Sequence, residues 1–482
     1  MEFTKLEKRV YIISALSFIL AAVFSTGYHH FDEHFQILEF AGLKLGMTEA
    51  QNLPWEFREQ MRPAIQPGLT VLLYKTLSFF GMSSPFTFTL FTRLLTALLS
   101  FTAVHFIYLH FKAEFISEQI KKWFLYFSFL LWIIVYNGVR FSSENWSELL
   151  FLTVFLLYFK KEQKNSLQFF TMGLLMGFSF LFRYQTAVMT VGFFAWMLFI
   201  NKEKIANLLV LSTGVIGVIA IGVLIDKWYY GEWVFSAWNY FEQNILLGKT
   251  EFSGTSPWYW YFTQTLLQGI PPLSILLICG VLGYLALFKK TAVTWIVFPF
   301  LLIHFLIAHK EIRFFYPVLF LVPYMMMKMI QKLNEGKLQG LIQRKGFTVF
   351  MKVVFFANHL FLILVVFKPA DSNISLYKTL YFDYQEPTTL YFLEKNPYVR
   401  VRDIHLYKRK DLNMVQIVDV GEIPENSPTK SIVVFTNRNN PEGFENTHKL
   451  IYKSFPSWMS HFNFNNWMRR SKSWYVYDFE NK

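Results

Sequence analysis

The chain has 482 residues, of which 54% are hydrophobic, 20% aromatic and only 16% charged. Ordinary soluble proteins are about 25% charged, so this composition excludes a disordered protein and a typical cytosolic enzyme, and it indicates an integral membrane protein. The formal net charge is +13, from 46 basic and 33 acidic residues. The single cysteine, Cys279, excludes an internal disulfide and a multi-cysteine metal site.

Apolar runs that suit a bilayer recur along the chain as far as residue 367. A membrane-crossing helix needs about 20 mostly apolar residues, and we predict about eleven spans. They are residues 10–27, 86–110, 123–137, 147–160, 167–182, 185–200, 205–225, 260–288, 291–308, 313–331 and 347–367. The first run is interpreted as a signal anchor, because residues 24–28 make a poor cleavage site. The stretch 66–81 is interpreted as an interfacial or re-entrant element, with a twelfth ordinary span as the alternative.

Basic residues predict the orientation of the spans, because Lys and Arg concentrate in short cytoplasmic loops. With the N-terminus inside, the cytoplasmic loops carry Lys112, Lys121, Lys122, Lys160, Lys161, Lys164, Lys202, Lys204, Lys289, Lys290 and the basic residues of 328–352. Within residues 1–367, the inner side then has 19 basic and 7 acidic residues, against 11 and 13 outside. The basic excess is therefore mainly a topology signal, and no nucleic-acid partner is needed to explain it.

The composition changes at residue 368, where Asn, Asp, Pro, Lys and Arg become more frequent. Alternating runs at 431–436 and 474–477 predict strands. We therefore predict two domains. Residues 1–367 form an all-α polytopic membrane domain, and residues 368–482 form a small extracytoplasmic α/β or mostly β domain.

The largest predicted outer loop, 28–85, begins with the acidic and histidine-rich segment YHHFDEHFQILE. Helical spacing would place Asp32, Gln36 and Glu39 on one face, and a partly desolvated carboxylate there can act as a general base. Alternatively, the acids merely favour a helix N-terminus. The histidines and acids also resemble metal ligands, but adjacent residues on a helix diverge by about 100°, so at most two or three could converge.

Other predicted outer segments carry residues that suit a phosphate-bearing amphiphile. Arginine is a planar, multidentate phosphate donor. The residues of this kind, with the aromatic and polar residues beside them, are Trp55, Glu56, Arg62, Arg140, Arg183, Trp238 and Asn239. The alternative interpretation is an interfacial helix with snorkelling side chains and an aromatic belt.

The segment HKEIRF at 309–314 brings three basic side chains between two predicted spans. On a helix, His309, Lys310 and Arg313 would share one face, with Glu311 beside them. Such a face could hold an anionic leaving group, and a solvated hairpin tip is the alternative.

In order and spacing, three segments resemble the motifs of polyprenol-phosphate-mannose-dependent α-mannosyltransferases of the GT-C superfamily. They are HFDEHFQ at 30–36, WEF at 55–57 with Arg62-Pro63, and HKE at 309–311 with Arg313-Phe314. The nearest type is the glycosylphosphatidylinositol mannosyltransferases and their bacterial relatives. The resemblance includes 226–231 and Trp238-Asn239 but does not extend beyond 368. Phe31 departs from the pattern, since a proline commonly precedes the Asp-Glu pair there.

The resemblance implies a GT-C fold with a large first outer loop, and inverting transfer of a hexose, mannose in this family. The donor would be a polyprenyl-phosphate sugar and the acceptor a hydroxyl of a glycolipid or glycan at the outer face. Asp32 would be the general base, with Glu33 the second candidate, and His309, Lys310 and Arg313 would stabilise the departing phosphate. Arg62, Arg140 and Arg183 are weaker phosphate candidates. Substrate contacts are expected from His30, Gln36, Glu39, Trp55, Glu56, Glu311, Trp238 and Asn239. No metal and no cofactor are expected, because a lipid phosphomonoester leaves without a diphosphate-bridging ion.

Two other classes suit parts of the pattern. A transporter or flippase of a lipid-linked or anionic substrate would also have many spans and intramembrane ions, but it would place them at mid-span in repeated halves. A phosphoethanolamine-type transferase would need a nucleophile and a metal cluster in a soluble domain. Short loops favour a bacterial inner membrane with a periplasmic site, and an endoplasmic reticulum membrane with a luminal site is the alternative.

Overall fold

The computed structural model describes residues 3–160, 164–249, 251, 254–424, 426–455, 457–471 and 473–479. Lys161, one of the predicted cytoplasmic basic residues, lies outside them. The chain forms two compact units. The first comprises Met1–Ser25, Trp55–Leu69 and Leu90–Lys368, and the second comprises Thr26–Pro54, Thr70–Thr89 and Pro369–Lys482. Much of the predicted outer loop 28–85 therefore belongs to the same unit as the C-terminal region, which a single boundary at 367/368 does not anticipate.

The first unit is helical and has one large apolar core. Its α-helices of six or more residues include Lys5–Phe24, Glu118–Leu130, Trp132–Gly138, Ser143–Lys160, Ser166–Phe182, Thr186–Ala195, Ile205–Tyr230, Ser236–Phe241, Trp260–Gln268, Leu273–Leu287, Ala292–Leu306, Val322–Glu335 and Lys345–Phe367. Helices Ile65–Phe79 and Pro85–Phe111 each include residues of both units. π-helical turns occupy Trp196–Ile200 and Glu242–Leu246, and a 3₁₀ helix occupies Ile312–Leu321.

Four helical stretches among the described residues are long and apolar enough to cross a membrane: Pro85–Glu114, Ile205–Tyr230, Ile312–Glu335 and Lys345–Phe367. The helices Leu273–Leu287 and Ala292–Leu306 are bent by 118° relative to each other at a short break. They add a fifth candidate span if the pair is counted as one broken span. The predicted number of about eleven spans therefore stays a prediction. Several of the predicted runs, such as 167–182, coincide with apolar helices shorter than 18 residues.

Two predicted spans are not continuous α-helices. The run 260–288 is broken between Gln268 and Leu273, where Pro271 and Pro272 follow Ile270. The run 313–331 begins as the 3₁₀ helix Ile312–Leu321, which contains Pro317, before the α-helix Val322–Glu335. In both cases proline removes a backbone donor and its ring obstructs the preceding turn, so an apolar run alone was an insufficient signal.

Glycines allow two pairs of these helices to approach closely. A Cβ on Gly173 would lie 2.0 Å from the carbonyl oxygen of Leu211, so helices Ser166–Phe182 and Ile205–Tyr230 are in backbone contact. A Cβ on Gly192 would lie 2.0 Å from the carbonyl oxygen of Trp295 in the helix Ala292–Leu306. Small residues at helix crossings are typical of packing in membranes, where van der Waals contact replaces a hydrophobic driving force.

The second unit contains a mixed five-stranded sheet. Its strands are β1 (Thr388–Phe392), β2 (Leu412–Gln416), β3 (Lys430–Thr436), β4 (Lys449–Lys453) and β5 (Trp474–Asp478), in the order β2-β1-β3-β5-β4. The pairs β2/β1 and β1/β3 are parallel, whereas β3/β5 and β5/β4 are antiparallel. The sheet, with helix Ile374–Phe382 before it, confirms the predicted strands at 431–436 and 474–477.

Candidate active site

In the second unit, the acidic residues predicted to act as a base lie on a single helical turn, Phe31–Glu33. His30 caps this turn, since its Nδ1 accepts the backbone N–H of Asp32 at 3.2 Å. The Glu33 carboxylate accepts the backbone N–H of His29 at 3.4 Å. The Asp32 side chain is 24% exposed and one of its oxygens lies 3.7 Å from His30 Nδ1. The carboxylate is thus partly buried and lies next to a histidine ring.

The expected face of Asp32, Gln36 and Glu39 is not formed, because residues His34–Glu39 wind as a π-helix. π-Helical winding brings residues five apart together, and His34 Nε2 lies 2.9 Å from Glu39 Oε1. Glu39 is 1% exposed, so it faces the interior of the unit and is not presented to solvent with Asp32. Burial tends to raise the pKa of Glu39, but hydrogen bonds from His34 and from two backbone N–H groups lower it overall.

The first unit holds a nearly buried cluster of guanidinium and carboxylate groups. Glu144 Oε1 lies 2.7 Å from Arg313 Nη1 and 2.8 Å from Arg183 Nη1. Arg313 Nε also donates to Glu311 Oε2 at 2.6 Å, and Glu311 Oε1 lies 3.0 Å from His309 Nε2. The hydrogen bond to Glu311 raises the pKa of His309, against an opposing effect of burial. The five side chains are linked by one series of ion pairs.

Arg183 and Arg313 both lie over the ring of Phe314, at 5.1 and 5.4 Å from its centroid. The two guanidinium groups thus share both an anion and an aromatic face. This arrangement places two permanent cations side by side.

The segment around residue 310 is extended, so the predicted helical face is wrong in detail. Glu311 has φ −135° and ψ 140°, and the helical residues begin only at Ile312. His309 and Arg313 converge because both bind Glu311, not because they are one helical turn apart. Lys310 instead donates to the carbonyl oxygen of Ile307, and burial lowers its pKa.

The other two predicted phosphate-binding arginines make contacts of their own. Arg140 is 2% exposed and donates to the carbonyl and hydroxyl oxygens of Ser25 at 2.5 and 2.7 Å. Arg62 lies 3.5 Å from Glu56 and over the ring of Tyr240, 5.6 Å from its centroid. Arg183 and Arg313 both pair with Glu144.

Three further predicted contact residues are Trp55, Trp238 and Asn239. The ring of Trp55 lies 5.8 Å from the Lys249 ammonium. Asn239 donates to the carbonyl oxygens of Glu59 and Gln60, both at 3.3 Å. Trp238 is 52% exposed. The structure therefore brings Asn239 to the segment 55–63 and leaves Trp238 at the surface.

An apolar cavity of about 280 Å³ adjoins the ionic cluster in the first unit. Its lining includes Tyr136, Tyr261, Phe305, Ile312, Phe315 and Leu319. Tyr261 stacks on Phe315 with ring centroids 3.9 Å apart. Ile312 lies directly between Glu311 and Arg313 in the chain, so a wall of the cavity and the cluster share one segment of backbone.

Sequence reasoning missed the central role of Glu144. The available signal was an acidic residue next to a predicted span, three residues before 147–160, where an ionisable group is costly unless it is paired. Asp226, directly after the predicted span 205–225, is a second acidic residue next to a span. It accepts the backbone N–H of Ala64 at 2.8 Å and the hydroxyl of Ser236, and Ser236 in turn lies 2.6 Å from the Tyr184 hydroxyl.

A metal centre was weighed for the segment 29–34. Across the described ranges, no group of three or more His, Cys, Asp or Glu side chains is arranged to hold a metal ion. In this segment, His34 instead pairs with Glu39, and His30 caps the turn that carries Asp32.

Comparisons with known proteins show the family to which the chain belongs. A model of the Alg9-like mannosyltransferase family matches residues 10–405. A GPI alpha-1,2-mannosyltransferase 3 of Danio rerio is 28% identical over 267 residues, which are 55% of this chain and 49% of that protein. Mannosyltransferase APTG1 of Arabidopsis thaliana is 27% identical over 319 residues, 65% of this chain and 56% of that protein. The chain spans about half the length of these relatives.

The fold is similar to a solved membrane-protein structure. ArnT from Cupriavidus metallidurans, crystallised with undecaprenyl phosphate, superposes with a TM-score of 0.52 over 97% of both chains at 10% sequence identity. At that identity the similarity shows a shared fold only. Since the family match covers most of the sequence and the fold agrees, the chain belongs to the Alg9-like mannosyltransferase family and has a GT-C fold.

Proposed function

We propose that the protein is an inverting mannosyltransferase that moves a hexose from a polyprenyl-phosphate donor to a hydroxyl of a glycolipid or glycan acceptor. Family membership and the names of the relatives support mannose as the sugar. The structural neighbour of the same fold was crystallised with undecaprenyl phosphate, which supports a lipid-phosphate donor.

The observation that carries this proposal is the position of the Arg183–Glu144–Arg313 cluster beside an apolar cavity. A polyprenyl-phosphate sugar has an anionic head and a long hydrocarbon tail. Two guanidinium groups suit the phosphate because each presents a planar fork of donors, and a cavity lined by Tyr261, Ile312 and Phe315 suits hydrocarbon. Both features meet at the segment 311–315.

In the proposed reaction the acceptor hydroxyl oxygen bonds to the anomeric carbon from the face opposite the phosphate. The bond between that carbon and the phosphate oxygen breaks, its electron pair leaves with the lipid phosphate, and the configuration inverts. Asp32 takes the hydroxyl proton, with Glu33 as the second candidate. Arg313, Arg183 and His309 offset the charge that develops on the leaving phosphate, which is worth most when the donors are already oriented.

We further propose that transfer occurs at the outer face of a bacterial inner membrane, with membrane lipids around the helices. The excess of basic residues in the predicted inner loops supports this orientation. The relatives' names make a glycosylphosphatidylinositol-type glycolipid one class of acceptor to test. An endoplasmic reticulum membrane with a luminal site is the alternative location.

The test is reconstitution of the full chain in vesicles with a panel of polyprenyl-phosphate sugars and a glycolipid fraction. Mass spectrometry would follow donor consumption and product. We expect consumption of the mannose donor, and loss of about 100-fold or more in rate for Asp32→Asn, since a positioned base contributes about 10²–10⁴-fold. Glu49→Gln is the control, because Glu49 is exposed and bonded only locally to Gln51.

Two results would contradict the proposal in different ways. Vesicles that move a lipid-linked substrate without consuming donor would favour a transporter. Wild-type turnover by Asp32→Asn, with the protein folded, would remove Asp32 from the base role and leave Glu33 to be tested by Glu33→Gln.

A further inference from the structure

His34, the residue that follows the Phe31–Glu33 turn, is held on all sides within the second unit. Its ring is fully buried between two tyrosines, with centroids 4.9 Å from Tyr28 at an interplanar angle of 25° and 5.6 Å from Tyr407 at 14°. The Tyr407 ring continues the stack towards Tyr377, at 6.2 Å. The orientation of the imidazole is therefore fixed by stacking before any hydrogen bond is considered.

Glu39 fixes the same imidazole from its edge and ties it to a distant part of the chain. Its Oε1 lies 2.9 Å from His34 Nε2 and also accepts the backbone N–H groups of His405 and Leu406 at 2.8 and 3.0 Å. A carboxylate that accepts several N–H bonds is strongly favoured in its charged form. His34 Nδ1 is buried without a partner among the described groups, so Glu39 is the side chain that holds the ring at its edge.

This arrangement bears on the turn that carries Asp32. The backbone N–H of His34 closes that turn by donating to the carbonyl oxygen of Phe31. A turn of three residues has little stability by itself, because helix nucleation is unfavourable. The contacts that hold His34 therefore help to set its geometry, together with the His30 cap, while the side chain of Asp32 remains partly exposed.

We propose that His34 and Glu39, clamped by the backbone of His405 and Leu406, form a positioning pair that orients Asp32 for proton abstraction. This inference rests on the proposed function of Asp32. It assigns Glu39 a role through His34, in place of the direct substrate contact predicted from its spacing. It also gives the segment 405–407 an indirect role in orienting Asp32, although His405 lies 366 residues after Glu39 in the sequence.

The test compares variants that remove one property at a time. His34→Phe keeps a ring between the tyrosines but removes the Nε2 donor, whereas His34→Gln keeps a donor of similar reach and loses the ring. Glu39→Gln keeps the volume and one acceptor, and Glu39→Ala removes both. Glu49→Gln is the matched control for a glutamate outside the pair.

We expect Glu39→Ala and His34→Phe to lower kcat about 10- to 100-fold with the KM of donor and acceptor nearly unchanged, since small misplacement of a reacting group costs about 10²-fold. His34→Gln should recover part of that loss. The double variant that combines Glu39→Ala with His34→Phe should have a kcat no lower than that of the less active single variant, because the two residues act as a unit.

A second readout does not depend on activity. In a Cys279→Ser background, a cysteine at Phe31, which is 43% exposed, reports on the turn through its rate of reaction with a thiol reagent. We expect a several-fold change in that rate with Glu39→Ala and none with Glu49→Gln. This readout stands even if the wild-type chain consumes no polyprenyl-phosphate sugar, in which case the proposed function alone has failed.

Three results would overturn the positioning role. An increase in KM at constant kcat for the Glu39 variants would indicate that Glu39 contacts the substrate directly. A loss of folded protein with unchanged kcat per folded molecule would make the pair merely structural, and if Glu39→Ala does not fold, Glu39→Gln and His34→Gln decide this point. An unchanged labelling rate at residue 31 would show that the pair does not hold the turn.

Discussion

The Nη1 atoms of Arg183 and Arg313 lie 2.8 and 2.7 Å from the same oxygen, Oε1 of Glu144. The three side chains are only 5%, 10% and 3% exposed. Two like charges at such close range repel strongly in a poorly solvated site, so the carboxylate between them is what permits their approach. Glu144 is thus an anion that this pair of cations shares.

Glu144→Gln should therefore destabilise the folded protein. The substitution keeps the shape of the side chain and leaves two buried guanidinium groups with too little negative charge. Breaking a buried ion pair by removing one partner costs about 3–5 kcal/mol. The measurement is the free energy of unfolding in detergent, with Glu59→Gln as the control. Glu59 pairs with Lys249 at 2.9 Å, but the side chains are 35% and 31% exposed, so we expect less than about 1 kcal/mol there. Equal effects of the two substitutions would contradict the assignment.

Arg313→Lys should reduce kcat/KM for the donor by at least about tenfold. One ammonium cannot reproduce the planar fork that contacts Glu144 and Glu311 together, and electrostatic stabilisation of a leaving group depends on oriented donors. Steady-state kinetics with a polyprenyl-phosphate sugar would measure the change. Arg344→Lys, at an exposed position, serves as the control. Full activity of Arg313→Lys would exclude a bidentate role.

The pairing of His309 with Glu311 predicts a pH dependence of stability. The hydrogen bond to Glu311 raises the pKa of His309 above its ordinary value of 6.5. The folded state thus holds the proton more tightly than the unfolded state, and this contribution is fully present below pH 6.5. It is lost as the pH rises through the higher pKa of the folded state. Thermal midpoints measured across this range should fall less steeply for Glu311→Gln than for the wild type. Parallel curves would show that Glu311 does not set the pKa of His309.

Sugar transfer should be independent of divalent metal ions. The proposed leaving group is a lipid phosphomonoester, and guanidinium groups offset its charge without a bridging ion. Activity should therefore persist after treatment with EDTA and dialysis. Inhibition by EDTA that manganese or zinc reverses would contradict this expectation and would favour a metal site in the segment 29–34.

Some features of the molecule were predictable because their causes are local in the sequence. Apolar runs such as 205–225 and 347–367 correspond to helices Ile205–Tyr230 and Lys345–Phe367, since length and composition alone make such runs helical in a membrane. Alternation at 431–436 predicted strand β3, because a period of two residues is typical of a strand. The motif segments around Asp32 and Arg313 were recognisable because each consists of a few consecutive residues.

Other features required the tertiary structure. The 3₁₀ helix Ile312–Leu321 replaced a predicted α-helix because it contains Pro317, whose ring obstructs the preceding turn and which lacks a backbone donor, so the apolar pattern alone does not decide its winding. The π-helix His34–Glu39 replaced the expected face of carboxylates, because it pairs His34 with Glu39. The carboxylate of Glu39 in turn accepts the backbone N–H groups of His405 and Leu406, which are distant in the sequence.

The sequence by itself determined the membrane character of the protein, its basic asymmetry, its family motifs and the change of composition at residue 368. Only the tertiary structure decided which ions meet. Glu144 and Arg313 are 169 residues apart, and Glu39 and His405 are 366 apart. Such contacts leave no periodic trace in the sequence, because burial makes each charged group depend on a partner that the fold, and not the neighbouring residues, supplies.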